Sequence, residues 1–222
     1  MFSLLFSQPL VFFAWLIAFL LALTVHEFSH ALAGSWLGDD TARRMGRLTL
    51  NPLAHIDPIG LLAVIFIGFG WGKPVPFNPY NLKWPKWGPV AVAAAGPASN
   101  LLLAIIGILV ANAVYPVLGP ANLLVIFLIG SAQVPGGFVA LNVVLMMFNL
   151  IPLPPLDGSK ALLAVLSHPK YTAMRRWIEM QGPMVLLGLI LIDSFANLGI
   201  FSFIFSLGFR LISLVTNIPS LL

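Results

Sequence analysis

From Phe2 to Ala33 the chain is oily, and its first 25 residues hold no Lys or Arg. The part from about Leu10 to Trp36 exceeds the roughly 20 apolar residues that cross about 30 Å of hydrocarbon as a helix. Inside a bilayer the backbone must satisfy its own polar groups, so a run of this kind can only be helical there. Only 8% of the residues are Asp, Glu, Lys or Arg, and 59% are hydrophobic, where a soluble domain carries about 25% charged residues. The expected fold class is therefore an all-α polytopic membrane protein, a single domain over 1–222, with about 4–6 membrane helices. Cleavage after Ala31-Leu32-Ala33 is disfavoured, because the basic start of a signal peptide is missing and the apolar run is too long. The net charge of +4 comes from scattered basic residues. It carries no nucleic-acid signal, and nothing suggests a nucleotide.

The first helix contains Val25-His26-Glu27-Phe28-Ser29-His30. On a helix His26 and His30 share one face, one turn apart. That spacing lets two neutral imidazoles hold one metal ion, and Glu27 is placed to take a proton from water activated there. Ionisable groups at bilayer depth usually line a bundle interior or a wet cavity with a function. There is no cysteine, so any metal must be held by His, Asp and Glu.

Gly38, Asp39 and Asp40 end the helix. Arg47 to Asn51 reads as a short strand, ended by Pro52. Asp57 reads as an N-cap with Pro58 in the first helical position. Gly60 to Phe69 is too short to span and is expected to be re-entrant, followed by irregular backbone over 68–72. This gives a small re-entrant or β-hairpin element after the first helix. Gly88 to Tyr115 is a second span, with small residues for close helix contact. Ala121 to Ile129 is a short apolar piece, broken at 134–137. A helix from Phe138 to Leu150 is interrupted over 151–158 and resumes from Ser159 to Leu166. His168 to Gly182 reads as a polar loop. One or two last spans cover 183–192 and 200–215. With 60–69 re-entrant, the basic residues at 43–47, 73–86 and 170–176 fall on one side. The positive-inside rule makes that side cytoplasmic. The metal then lies nearer the cytoplasmic face of the cell membrane.

A catalytic zinc usually has three protein ligands and an open position. His55, Asp57, Asp157, His168 and Asp193 are the candidates for the third. His168 and Asp193 fit solvated roles, and His55 fits a loop-tying role. Asp157 is favoured, since the helix break can turn its carboxylate inward; its other role would be to cap the next helix.

His26-Glu27-Phe28-Ser29-His30, together with Asn149-Leu150-Ile151-Pro152-Leu153-Pro154-Pro155-Leu156-Asp157-Gly158, resembles the site-2 protease family of intramembrane zinc metalloproteases. Asn51-Pro52-Leu53-Ala54-His55-Ile56-Asp57-Pro58-Ile59-Gly60 and Gly96-Pro97-Ala98-Ser99-Asn100 are similar to features of its compact bacterial and archaeal branch. No PDZ-like or nucleotide-binding insertion is visible. The resemblance implies one Zn2+ per chain on His26, His30 and Asp157. It makes Glu27 the general base and has Asn149 orient or stabilise the reacting carbonyl. The implied substrate is a transmembrane protein within the lipid bilayer. A metal transporter would instead call for paired repeats, which are not evident. A catalytically dead scaffold would call for loss of Glu27 or a ligand, and all are present.

Overall fold

The computed structural model describes residues 2–67, 70–131, 134–135 and 137–214. The expected irregular stretch is therefore described at 70–72, while 68, 69 and 215–222 lie outside the described residues. Helix α1 (Phe2–Ser7) leads into α2 (Pro9–Trp36), which has Pro at its start and no charge in its first turn. Gly38 ends it at φ +104°, in the left-handed region where a Cβ is unwelcome. A short turn, α3 (Thr41–Arg44), follows.

The expected strand at Arg47–Asn51 is not formed. Local bonds hold this backbone instead. Arg47 N–H donates to Ala42 O, Asn51 N–H to Thr49 Oγ1, and the Asn51 side chain caps a 3-10 turn at Pro52–Ala54. Asp57 does cap α4 (Pro58–Ile67), its Oδ1 accepting from Ile59 and Gly60 N–H at 2.9 and 3.0 Å. The chain leaves and returns at one level. Ile56 forms an antiparallel bridge with Gly72, and Lys73 N–H donates to His55 O at 2.8 Å. Within this loop the two backbones nearly touch: a Cβ on Gly70 would lie 2.1 Å from Gly60 O.

Helix α5 (Gly88–Leu118) contains Pro97 and Pro116. After α6 (Leu123–Ile129), strands β1 (Gly130–Ser131) and β2 (Val134–Pro135) form a short antiparallel ribbon. Helices α7 (Phe138–Asn149) and α8 (Gly158–Val165) flank the proline-rich break. Helix α9 (Thr172–Ala196) then occupies much of the stretch expected to be a polar loop. Its first turns are polar but rich in good helix formers, with Arg175 and Glu179 paired four residues apart at 3.1 Å. Polarity there marks a helix surface rather than a loop. Asn197, at φ +48°, turns the chain into α10 (Ile200–Ser213), whose first N–H groups are capped by Asp193.

Helix α2 packs chiefly on α5, and α5 on α7. The contacts run along small residues: Ala18, Ala22, Ala104 and Ala111 are wholly buried. In lipid, where apolar surfaces gain little by leaving the solvent, close approach of small residues holds helices together. Leu101, Leu102, Ile106 and Leu109 face outward on α5. Among the described residues three helices are long and apolar enough to cross a membrane: Pro9–Trp36, Gly88–Leu118 and Pro169–Ala196. Shorter apolar helices, α7 and α10, accompany them.

Candidate metal centre

One turn of α2 brings the His26 and His30 rings together, with their Nε2 atoms 3.0 Å apart. The third group arrives from the other end of the chain. Asp157 occupies the N-cap position of α8 but makes no capping bond. Its Oδ2 lies instead 3.2 Å from each Nε2. The break before it is compact: Leu153 N–H bonds Ile151 O, Leu156 N–H bonds Leu153 O, and the Pro154–Pro155 bond is cis. Gly158 lets the backbone double back on the end of α7, since a Cβ there would sit 2.3 Å from Leu150 O. That close approach aims the preceding carboxylate at α2.

The donor chemistry fits a cation. His30 Nδ1 lies 2.8 Å from Val92 O, which can only accept, so Nδ1 carries a proton and, in the neutral ring, Nε2 presents a lone pair. His26 Nδ1 is engaged likewise by Asn100 Oδ1 at 2.5 Å. Asp157 Oδ2 is buried without a hydrogen-bond partner. The three ligand atoms lie within 4.8 Å of one another. Electron pairs gathered this closely repel unless a positive ion sits among them. Two imidazole nitrogens and one carboxylate oxygen suit tetrahedral zinc with a position left open. Space beside the histidines depends on Gly96 of α5, where a Cβ would fall 2.5 Å from His30 Nε2 and 2.6 Å from His26 Nε2.

Glu27 is buried next to this set, and its Oε2 accepts the backbone N–H of Val75 at 3.0 Å. Residues 73–78 thus form a strap over α2. Lys73 is held at one end by Arg47, which donates to its carbonyl, and by His55 O. Asn78 is held at the other end, its N–H donating to Asp39 Oδ2 at 2.6 Å. Asp39 also accepts from Thr41 N–H, Thr41 Oγ1 and Asn81 Nδ2. Burial pushes its carboxyl up, but these donors outweigh burial and hold it below the ordinary carboxylate range.

Asn149 Nδ2 donates to Leu145 O of its own helix at 3.0 Å. His55 is wholly buried and ties its loop through Nε2 to Thr49 O. His168 opens the 3-10 turn at Pro169–Tyr171. Sequence reasoning assigned no role to Val75 or Asn142, and placed Gly96 only among the small residues for close helix contact and in the Gly96–Asn100 motif. The backbone N–H of Val75 leaves no trace in residue type, but an amide inside apolar α7 was a visible signal.

Proteins of known name bear on this geometry. YwhC of Bacillus subtilis (strain 168), provisionally named as a zinc metalloprotease, is 44% identical over 144 residues, 64% of this chain and 64% of YwhC. Rip2 of Mycolicibacterium smegmatis, named in the same way, is 34% identical over 156 residues, 68% of this chain and 57% of Rip2. Rip2 of Mycobacterium tuberculosis (strain H37Rv) is 30% identical over 166 residues, covering 70% and 60%. The chain thus spans less than two thirds of the length of these relatives. No family model matches the chain, and no solved structure does. The histidine pair and the distant aspartate thus meet at one point in a chain that is similar to relatives named as zinc metalloproteases.

Proposed function

We propose that this protein is an intramembrane zinc metalloendopeptidase that hydrolyses peptide bonds in or near transmembrane segments of other membrane proteins. The observation that carries the reading is the meeting of His26, His30 and Asp157 beside Glu27, on a helix long enough to cross a bilayer. His26, His30 and Asp157 would hold the zinc. When bound, zinc supplies Lewis acidity, which makes water a nucleophile at neutral pH and polarises a carbonyl.

The chain's own groups do the rest. Glu27 has Oε2 tied to Val75 N–H, so the carboxylate is oriented before a substrate arrives. It takes the proton of the attacking water and delivers it to the leaving amide nitrogen. Asn149 reaches the developing oxyanion by giving up its bond to Leu145 O. The substrate is a transmembrane helix whose scissile bond must first unwind, because helical hydrogen bonding shields it. At about 1.5 Å per residue, His26 sits roughly 15 Å before the C-terminal end of α2. Water therefore reaches the site from the side where that end emerges. By the positive-inside rule that side is the cytoplasmic one, in a multi-pass protein of the cell membrane.

The test uses Glu27→Gln in a cell co-expressing candidate single-span proteins. Cleavage should stop while bound zinc stays at the wild-type level. Cleavage that persists would refute the assignment.

A further inference from the structure

Behind His26 lies a chain of buried amides. Asn100 and Asn142 are both wholly buried, one on α5 and one on α7. Asn142 Nδ2 donates to Phe138 O at 2.8 Å, and Asn100 Nδ2 donates to Asn142 Oδ1 at 2.8 Å and to Ala22 O at 3.4 Å. Asn100 Oδ1 then faces His26 Nδ1 at 2.5 Å.

The order of donors and acceptors is forced. A backbone carbonyl can only accept. Phe138 O therefore requires the NH2 of Asn142 and turns that residue's oxygen toward Asn100. This oxygen, with Ala22 O, requires the NH2 of Asn100. Only the oxygen of Asn100 is left for His26, so His26 Nδ1 must carry a proton, and in the neutral imidazole Nε2 is then bare.

We propose that Asn142, acting through Asn100, sets the tautomer of His26, so that a carbonyl on α7 dictates which ring nitrogen can bind a metal. Both asparagines are positioning residues, and the inference rests on the zinc-site reading above. His30 achieves the same end with a direct bond to Val92 O. His26 needs an intermediary with a direction, and a reversed Asn100 would present N–H to Nδ1 and shift the ring proton to Nε2, where it blocks the metal.

The experiment uses the full chain in detergent. Zinc affinity is measured by competition with a chromophoric chelator, and the tautomer by 15N shifts of labelled histidine in the zinc-free protein. Asn100→Leu and Asn142→Leu should each raise the zinc Kd by about 10- to 100-fold and lose the Nδ1–H form of His26, with His30 unchanged. Asn100→Asp still presents an accepting oxygen to His26 Nδ1, whether it is ionised or carries a proton toward Asn142 Oδ1, and should keep the Nδ1–H form and bind zinc more tightly than Asn100→Leu. Should Asn100→Leu not fold, Asn142→Leu decides alone, since it leaves Asn100 in place. Wild-type affinity and an unchanged His26 tautomer in the leucine variants would overturn the proposal, as would Asn100→Asp binding no better than Asn100→Leu. His26→Ala and Asp157→Ala separate the two readings. If these bind zinc like wild type, the site itself is wrong; if they lose it while the asparagine variants do not, only this inference fails.

Discussion

The backbone N–H of Val75 donates to Oε2 of Glu27 at 3.0 Å, joining residues 48 positions apart. The strap between Lys73 and Asn78 thereby holds the proposed general base. Proline already stands at 74 and 76, so Val75 supplies the N–H between two residues that have none. Val75→Pro should lower turnover of a membrane-embedded substrate by about tenfold, the size expected for one hydrogen bond to a charged group. Zinc content should not change. Val75→Ala keeps the N–H and should lose much less. Equal losses in a cleavage assay would show that the side chain matters, not the amide.

Gly96 stands where a methyl group would enter the ligand set, 2.5 Å from His30 Nε2. The neighbouring atoms belong to rings fixed by Asn100 and Val92, so they cannot retreat cheaply. Gly96→Ala should abolish stoichiometric zinc, read by metal analysis of the purified protein, while helix content by circular dichroism stays close to wild type.

Asp39 lies beyond the end of α2 and is 1% exposed. Hydrogen bonds hold its folded carboxyl below the ordinary carboxylate range against the opposing effect of burial. On acidification the unfolded chain, with a value of about 3.9, binds the proton first. The stabilisation is thus complete well above that value and is lost as pH falls through the folded one. Asp39→Asn should cost about 1–3 kcal/mol at neutral pH, and its thermal midpoint should fall less steeply than wild type's below about pH 4. Parallel acid profiles for the two proteins would contradict this.

Metal removal should be felt as lost stability. A ligand at about 100 times its Kd stabilises a folded protein by about 2.7 kcal/mol. Chelation should lower the thermal midpoint of the wild type, and returned zinc should restore it. Asp157→Ala should have the lower midpoint already and show no response to either treatment.

What could be read without coordinates was whatever repeats locally. The histidines four apart declare their shared face by helix geometry, and the length of α2 follows from its uninterrupted apolar run. The Asp57-Pro58 cap behaves as its residue types require. The failures came where tertiary or side-chain bonds compete with local pattern. Arg47–Asn51 alternates like a strand, but its polar groups are taken by Ala42, Thr49 and the adjoining 3-10 turn. The polar stretch before Pro183 is a helix, packed through Gly182 against Pro154. Around the site, Asn100 was legible as part of a motif, whereas Asn142 and the Val75 amide act through partners far away in the chain.

The two imidazoles and the glutamate ride on one turn of α2, and the aspartate rides on a separate corner between α7 and α8. Two thirds of the proposed ligand set therefore exists as soon as the first long helix has formed. The final third is a latch thrown from elsewhere. Any sliding of that corner against α2 would change the grip on a bound ion through a single oxygen, while the spacing of the nitrogens stays as the helix made it.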